Sequence, residues 1–400
     1  ARRAGHAGCA EFLARWQPCA GAVAGESDPP NEDIADGGDT VQVLVSNVAG
    51  HVVMTQACPA SETVRHLKLR IREAQGTREF VQRLLHGPDV LDNDAAVSSF
   101  QQPVHLTLVV LQADAGQAGR LLDACCVGDV GVVADALEAL ADPNCEDEEG
   151  WTALGFAAEW GTAEVVRALC KACAEPDTPG TNGCLPFVLA AGGGRLDVAR
   201  ALCRGGASVN CADDGGTTPL IAASGSDCEA LAEWLCDLGA NVDASDELGE
   251  TPLSAAARRG HAAVVGRLCR AGASPDGAAC AASSPLCAAA DEGHLEVVRL
   301  LCALGAAPEL APARGAPPLV RALRCADGGP DLGMVRLLCR ARADPNRRLL
   351  GGGKPMDTAV LQGHLEAVRA LLEARANPDV AGSDACELLR AAARGCGRLY

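Results

Sequence analysis

Thr251-Pro-Leu-Ser-Ala-Ala-Ala-Arg-Arg-Gly-His261 is a stretch that recurs along the second half of the chain. A Thr-Pro-Leu triplet stands 33 residues earlier at Thr218, and Ser-Pro-Leu stands 33 residues later at Ser284. A second series keeps the same interval, with cysteines at positions 170, 203, 236, 269 and 302. A fixed period of this length is typical of a solenoid, in which each unit must stack on its neighbours to bury its apolar face.

Each unit is predicted to contain two short helices joined by a tight turn. Pro252 falls at the first helical position, where the missing N–H of proline costs nothing. Gly260 stands where the first helix should end in a left-handed C-cap, and Leu268 falls on the predicted buried face of the second helix. The same pattern places Pro219, Pro285, Gly293, Gly363, Leu301 and Leu371 at these positions in other units.

The repeated unit resembles the ankyrin repeat. The matching motif is T-P-L-x-x-A-A-x-x-G-H, then an acidic residue with V-V-R-x-L, then G-A-x-x-(N/D), as in Ser284–His294, Leu295–Cys302 and Gly305-Ala306. The resemblance covers about residues 118 to 400, as eight units and a truncated ninth that begins near Cys386. The eight motifs begin at residues 119, 152, 185, 218, 251, 284, 317 and 354. The resemblance implies an all-α array whose concave face binds a protein.

The array departs from the ankyrin pattern at the histidine that follows the triplet. Positions 155, 188, 221, 254, 287, 320 and 357 hold Gly, Val, Ile, Ser, Cys, Val and Asp instead. A buried bridge between turns is thereby lost, which predicts modest stability. His261, His294 and His364 follow the helix-ending glycines and are expected to bond to local backbone. A metal site is not expected there, because they lie a repeat apart without clustered ligands.

Residues 40 to 112 show a different periodicity. Alternating apolar residues predict strands at Val41–Val45, His51–Ala57, Phe80–Leu85 and Val104–Leu111. A hairpin turn is predicted at Ala49-Gly50, and a helix is predicted to begin after Ser61 as its N-cap and to stop at Gly76. The order ββαββ predicts a small β-grasp domain, so the fold class is α+β, with this domain followed by the all-α solenoid.

This segment resembles ubiquitin over essentially all of residues 40–112. The matching residues are Val41–Val45, Gly50, Pro59, Val64, Leu67–Ile71, Gln82–Leu85, Gly87, Leu91 and Leu106–Val109. The resemblance implies an apolar recognition patch at Val48, Leu85 and Val109, with ubiquitin receptors or the proteasome as partners. Docking to another kind of protein is the alternative. Conjugation is not expected, because the chain continues from Leu111 into the repeats where ubiquitin ends in Gly-Gly.

Composition and charge limit the remaining classes of function. The net charge of -18 disfavours nucleic acid as a partner, and no apolar run of about 18 residues predicts a membrane span. Residues 1–39 are acidic and rich in Gly and Pro, which predicts a disordered tail. Residues 113–117 are predicted to be a short linker. The chain begins with Ala1, which is expected of a fragment or a processed product.

The chain contains 21 cysteines. The periodic ones occupy a position held by Leu137 and Leu372 in other units, so they are predicted to be small buried apolar groups. Disulfides between units are disfavoured, because neighbouring helices stack at about 8–10 Å. A reducing compartment, cytoplasmic or nuclear, is therefore expected. Cys170-Lys-Ala-Cys173 is a lone C-x-x-C pair, and no metal, cofactor or catalytic set is predicted.

The resemblance to ankyrin repeats also indicates which residues should meet a partner. Turn tips and the exposed ends of the first helices carry Trp151, Glu159, Trp160, Glu247, Glu250, Arg258, Arg259, Asp291 and Glu292. Trp151 and Trp160 are either binding anchors or rings that pack on each other or on the neighbouring unit. Trp234 occupies a position filled by Leu300 in another unit and is expected to lie in the core.

These patterns predict a non-enzymatic adaptor or scaffold. Its ankyrin face would bind a protein, and its ubiquitin-like domain would couple that protein to ubiquitin or proteasome machinery. One alternative is a fragment or subunit of a ubiquitin ligase whose catalytic region lies outside this chain. Another is a scaffold without a link to ubiquitin. The sequence leaves open the identity of the partner, the pathway and the oligomeric state.

Overall fold

A computed structural model of the chain describes residues 40–87, 89–100, 104–111, 115–180, 183–277, 284–310, 315–324, 331–348 and 353–378. The predicted tail at 1–39, positions 113–114 of the predicted linker and the truncated ninth unit from Cys386 lie outside the described residues. Two compact units are present, one containing a five-stranded sheet and one containing helix pairs. The α+β class predicted from the sequence is confirmed.

The first unit is a mixed sheet with one long helix. Its strands are β1 (Thr40–Asn47), β2 (Val52–Pro59), β3 (Gln82–His86), β4 (Asp89–Val90) and β5 (Val104–Val110), and its helix is α1 (Val64–Gln75). The order across the sheet is β2-β1-β5-β3-β4. The pair β1–β5 is parallel, while β1–β2, β3–β5 and β3–β4 are antiparallel. This is the β-grasp arrangement expected of a ubiquitin-like domain.

The core of this unit lies between α1 and one face of the sheet. Leu67 and Ile71 of α1 and Val45 of β1 are completely buried, and Val43 and Leu106 are 1% exposed. The helix ends at Gly76, whose φ of 68° is the left-handed conformation that the sequence predicted. Burial of each such side chain stabilises the fold by about 1.5–3 kcal/mol.

Two local predictions for this unit were wrong in position, and one short strand was missed. The residue that precedes α1 as its N-cap is Thr63, not Ser61, and its backbone N–H donates to Nδ1 of His66 at 3.2 Å. Strand β3 begins at Gln82, because Glu79–Val81 form a 3-10 turn. Strand β4 has only two residues, too few to show an alternating pattern.

The second unit contains eight helix pairs within the described residues. The first helices of the pairs are α2 (Ala118–Val127), α4 (Ala153–Glu159), α6 (Pro186–Gly192), α8 (Pro219–Gly225), α10 (Pro252–Arg259), α12 (Pro285–Asp291), α14 (Pro318–Arg324) and α16 (Pro355–Leu361). The second helices are α3 (Val130–Glu138), α5 (Ala163–Lys171), α7 (Leu196–Arg204), α9 (Glu229–Asp237), α11 (Ala262–Arg270), α13 (Leu295–Ala303), α15 (Leu332–Arg340) and α17 (Leu365–Glu373). Among the described residues, no helix is both long and apolar enough to cross a membrane.

Proline occupies the first turn of most first helices, as the sequence predicted, and a hydroxyl side chain caps several of them. The side chain of Thr251 accepts the backbone N–H of Ser254 at 3.2 Å, and Pro252 occupies the first turn. Ser254 stands where the ankyrin histidine is missing, and its hydroxyl accepts the backbone N–H of Thr251 at 2.8 Å. Asp357 does the same for the backbone N–H of Lys354 at 2.6 Å. In the unit of Ser254 the substituted residue therefore completes a reciprocal cap, whereas Asp357 supplies only the return bond, because a lysine side chain cannot accept an N–H.

Two residues per unit form the buried centre of the array. Alanines at 157, 190, 223, 256, 289, 322 and 359 and leucines at 169, 202, 235, 268, 301, 338 and 371 are all 0% exposed. Alanine lets the first helices approach closely, and leucine fills the space between the second helices. Each unit depends on its neighbours for this burial, which is why the repeat interval is so regular in the sequence.

A series of side-chain acceptors connects each unit to the next. Asn210 Oδ1 accepts the backbone N–H of Asn241 at 2.8 Å, and Asp243 Oδ1 accepts that of Ser274 at 3.1 Å. The same relationship recurs at Asn144–Glu175, Asp177–Ser208, Asp276–Ala307, Glu309–Asp344 and Asn346–Asn377. The acceptor is the Asn or Asp that closes the ankyrin motif, or Glu309 in one unit. These bonds supply partners to amides in the loops between units.

The cysteine series is less buried than the sequence predicted. Cys170 is 7% exposed, whereas those at 203, 236, 269, 302 and 339 are half-buried. Each lies near the end of a second helix. Burial raises the pKa of Cys339 to about 11, and it also raises the pKa of Cys302. All fifteen cysteines among the described residues are free thiols.

Candidate protein-binding surface

Trp151 lies in the turn that leads into α4, and its backbone is fixed by Asp147. The N–H of Trp151 donates to Asp147 Oδ1 at 2.7 Å, and the N–H of Asp147 donates to the carbonyl oxygen of Trp151 at 3.0 Å. The same carboxylate also accepts the N–H of Glu149 at 2.9 Å. This local hydrogen bonding holds the backbone of Trp151 in one position at the start of the helix.

Three aromatic rings form a cluster around α4. The ring centroids of Trp151 and Trp160 are 5.2 Å apart, and Phe156 lies 5.5 Å from Trp151 and 5.7 Å from Trp160. The indole of Trp151 also packs beside Gly155, where the ankyrin histidine is missing. Trp160, at the end of α4, is 49% exposed despite these contacts. The rings pack on each other, and one of them still faces solvent.

The charged residues expected on this surface lie in turns or at the ends of first helices. Glu247, Arg258, Arg259, Asp291 and Glu292 are exposed. Glu159 and Glu250 are half-buried.

Some of these charges already have partners within the array. Arg258 forms an ion pair with Glu250 at 3.3 Å, and Asp291 pairs with Arg321 of the next unit. Within the described residues, no ion pair involves Glu247, Arg259 or Glu292. The charges that are available to a partner therefore alternate in sign along the array.

Sequence reasoning missed several residues of the same surface. Phe156 belongs to the aromatic cluster and lies one helical turn before Trp160, a spacing that could have identified it. Leu248, in the turn before α10, is 77% exposed, and Leu361, at the end of α16, is 86% exposed. Trp234 is half-buried rather than in the core, with its ring 6.5 Å from Phe187.

The predicted patch of the ubiquitin-like unit is only partly accessible. Ser46, Thr107 and Leu85 are register partners on β1, β5 and β3, so they form one row across the sheet, and all three are half-buried. Val48, in the hairpin after β1, is 44% exposed. Val109 is only 5% exposed, so the accessible apolar groups are those of Val48 and Leu85.

Two of the three histidines after the helix-ending glycines, His261 and His294, bond to the preceding unit rather than locally. Nε2 of His261 lies 3.2 Å from the carbonyl oxygen of Gly225, and Nε2 of His294 lies 2.9 Å from that of Arg258. The expectation of a backbone partner was right, but the partner is 36 residues away. In the described part of the chain, no group of three or more His, Cys, Asp or Glu side chains could hold a metal ion.

Comparisons with known proteins agree with this architecture. A family model described as ankyrin repeats (three copies) matches residues 121–213, 171–246, 205–279, 221–312 and 253–349. The human ASB11 ankyrin repeat domain is similar in structure, with a TM-score of 0.50 and 26% sequence identity over 56% of this chain and 98% of that one. In all, 573 chains of solved structures match, so this likeness specifies a common fold rather than one partner. A comparison with curated protein sequences finds no match. The family model matches more than half of the residues of this chain. The chain therefore belongs to the ankyrin repeat family.

Proposed function

We propose that this protein is a non-enzymatic adaptor whose ankyrin array binds a protein through its turn tips and the ends of its first helices. Ankyrin repeats are protein-interaction modules, which supports the general role. The observation that carries the proposal is the half-exposed ring of Trp160, held by Trp151 and Phe156. Tryptophan is enriched among residues whose truncation weakens protein–protein binding most.

The surroundings of Trp160 suit it to be an anchor. Two aromatic neighbours restrict its motion before a partner arrives, so little rotamer entropy is lost on binding. The remaining contacts are proposed to come from Trp151, Glu159, Glu247, Glu250, Arg258, Arg259, Asp291 and Glu292. Glu247, Arg259 and Glu292 are exposed, so they can form new ion pairs at the rim of an interface.

The ubiquitin-like unit is proposed to dock to ubiquitin receptors or the proteasome. Support comes from its β-grasp topology and from the accessible apolar groups of Val48 and Leu85. Val109 contributes little accessible surface. The free thiols support a reducing compartment, cytoplasmic or nuclear, for the protein.

The array is tested by affinity purification of the full chain and of two variants from the native cell, with quantification of the captured proteins. Trp160→Ala should lose specific partners. Leu238→Ala is the control, because Leu238 is similarly exposed (43%) but stands at the end of α9, which is a second helix. This variant should retain the partners. Equal capture by both variants would reject the proposed face.

The ubiquitin-like unit is tested separately with the full chain and a purified proteasomal ubiquitin receptor. Leu85→Ala should weaken binding, whereas Val110→Ala, an exposed residue on the neighbouring strand, serves as the control. If the receptor binds both variants equally, or does not bind the native chain, the link to ubiquitin machinery is wrong.

A further inference from the structure

We infer that the first half of the binding face recognises a basic segment of the protein partner, through acidic loops that continue from the aromatic cluster. This inference rests on the proposed protein-binding role of the array. The term finger loops denotes the loops that lead into α4, α6, α8 and α10, which are residues 144–152, 174–180 with 183–185, 205–218 and 240–251. They carry twelve acidic residues and no Lys or Arg.

The charge of the array is segregated by side. The four second helices of the same units, α5, α7, α9 and α11, carry five acidic and six basic residues. An acidic composition that served only solubility would not require these loops to lack Lys and Arg altogether, even though Arg258 and Arg259 stand on α10 next to the last of them. The finger loops therefore create a negative potential that the opposite side does not share.

The acidic groups reach solvent. Glu146, Glu148, Glu149, Asp214 and Glu247 are exposed. Asp147, Asp213 and Asp246 accept hydrogen bonds from backbone amides of their own loops, which satisfies oxygens but leaves the net negative charge in place. Together these groups supply both exposed carboxylates and a fixed background charge.

Successive finger loops contact one another, so their charges form one continuous surface. The N–H of Glu247 donates to the carbonyl oxygen of Gly215 in the preceding loop at 2.9 Å. The side chain of Asp214 fills the space next to Gly183 of the loop before it. The first two loops are adjacent at Gly180 and Gly150. A Cβ on Gly180 would lie 3.4 Å from the carbonyl oxygen of Gly150.

The aromatic cluster begins at the first finger loop. Trp151 belongs to that loop and contacts Trp160, whose exposed ring is a platform for an Arg or Lys side chain. Glu148 and Glu149 lie in the same loop and add negative charge near the rings. A basic segment with a cation at the tryptophan would therefore run along the four loops.

The loop that leads into α16 has the opposite character. Residues 341–354 carry Arg342, Arg347, Arg348 and Lys354 against one acidic residue, Asp344. The acidic surface therefore does not extend to the last described pair, and the bound segment is expected to lie along the earlier units.

The test measures binding of a fluorescent nona-arginine peptide to the full chain at low and physiological salt. Asp214→Lys with Glu247→Lys should weaken binding by about tenfold or more, because two exposed negative charges become positive. Asp197→Lys with Asp237→Lys makes the same net change on exposed positions of α7 and α9 and should change binding by less than about twofold. Trp160→Ala should also weaken binding, and a nona-glutamate peptide should not bind.

Equal weakening by the two lysine pairs would overturn the inference, since the attraction would then come from net charge alone. The urea transition of each variant establishes that it is folded. The same pairs in the affinity purification separate this inference from the proposed function. If Trp160→Ala loses the partner while Asp214→Lys with Glu247→Lys keeps it, the array binds a protein but not through the acidic loops. If all of these variants keep the partner, the proposed face is itself wrong.

Discussion

Nε2 of His294 lies 2.9 Å from the carbonyl oxygen of Arg258, so a side chain of one ankyrin unit satisfies the end of the first helix in the preceding unit. His261 does the same for Gly225 at 3.2 Å. The last carbonyls of a helix have no partner within the helix itself. These imidazoles therefore connect neighbouring units, although the histidine that follows the triplet in other ankyrin repeats is absent here.

Removing this connection should weaken the array. His294→Ala is expected to lower the free energy of unfolding by about 1 kcal/mol, because the carbonyl of Arg258 loses its donor. Urea titration followed by circular dichroism measures the change. The control is His364→Ala at the same position of the last described pair, where the described residues show no such bond. A loss for His364→Ala as large as that for His294→Ala would contradict the explanation.

Gly260 is required both by backbone conformation and by packing against His294. Its φ is 79°, and a Cβ there would lie 2.6 Å from Nδ1 of His294. Gly363 has a φ of 73° but no atom within 4 Å of such a Cβ. Gly363→Ala should therefore cost about 1–2 kcal/mol from left-handed strain alone. Gly260→Ala should cost about 1–3 kcal/mol more from overpacking.

A double-mutant cycle separates the two effects at Gly260. In the His294→Ala background, Gly260→Ala should cost no more than Gly363→Ala does in the native protein, because the ring is gone. Purely additive costs of Gly260→Ala and His294→Ala would show that the ring is not the obstacle.

The side-chain acceptors between units should also be measurable one at a time. Asn210→Ala removes the oxygen that accepts the N–H of Asn241 and is expected to cost about 1 kcal/mol. Asn210→Asp keeps an acceptor and should cost less, since Asp243 performs the same role in the next unit. Hydrogen exchange at the amide of Asn241 should be faster in Asn210→Ala only. The same exchange rate in both variants would exclude this bond as the source of protection.

Adjacent cysteines should differ sharply in reactivity. Burial raises the pKa of Cys125 to about 12, and its side chain is 0% exposed, whereas Cys126 is exposed. At pH 8 only about 0.01% of Cys125 would be thiolate, the reactive form. Iodoacetamide should therefore modify Cys126 and leave Cys125 unmodified in the native protein, as read by mass spectrometry. In urea both should react, and equal labelling without urea would contradict the prediction.

The same thiol links stability to pH. Because its folded pKa lies above the ordinary value of 9, the folded state is favoured in full below pH 9. That contribution decreases as the pH rises from 9 towards 12. In this range the unfolded chain releases the thiol proton while the folded chain still keeps it. Cys125→Ala should flatten the loss of stability over this range, as measured by urea titrations at several pH values. An unchanged slope would mean that Cys125 does not cause it.

Much of the architecture could be predicted because each unit repeats the same physical requirements. Ala256 and Leu268 are buried at positions that the 33-residue period identifies, and Gly260 has the predicted left-handed conformation. The acceptor at Asn210 was visible as the end of the motif. Its partner, Asn241, was not, because that bond depends on how two units stack.

The binding surface was less predictable for the same reason. Sequence position indicated that Trp160 would be exposed, but only the stacking of rings shows that Phe156 supports it. The resemblance to ubiquitin assigned Leu85 and Val109 to one patch, yet their exposures differ. Exposure depends on neighbours that are distant in sequence, and a single sequence does not specify them.

The hydrogen bonds from the side-chain acceptors of one unit to the amides of the next have a consequence for how the gene can change. Excision of residues 210–242 would put Asp243 in the place of Asn210, and Asp243 would still accept the amide of Ser274. Asp177 would likewise keep Ser208. Recombination at such positions can therefore remove a whole module and leave the acceptor bonds on either side in place.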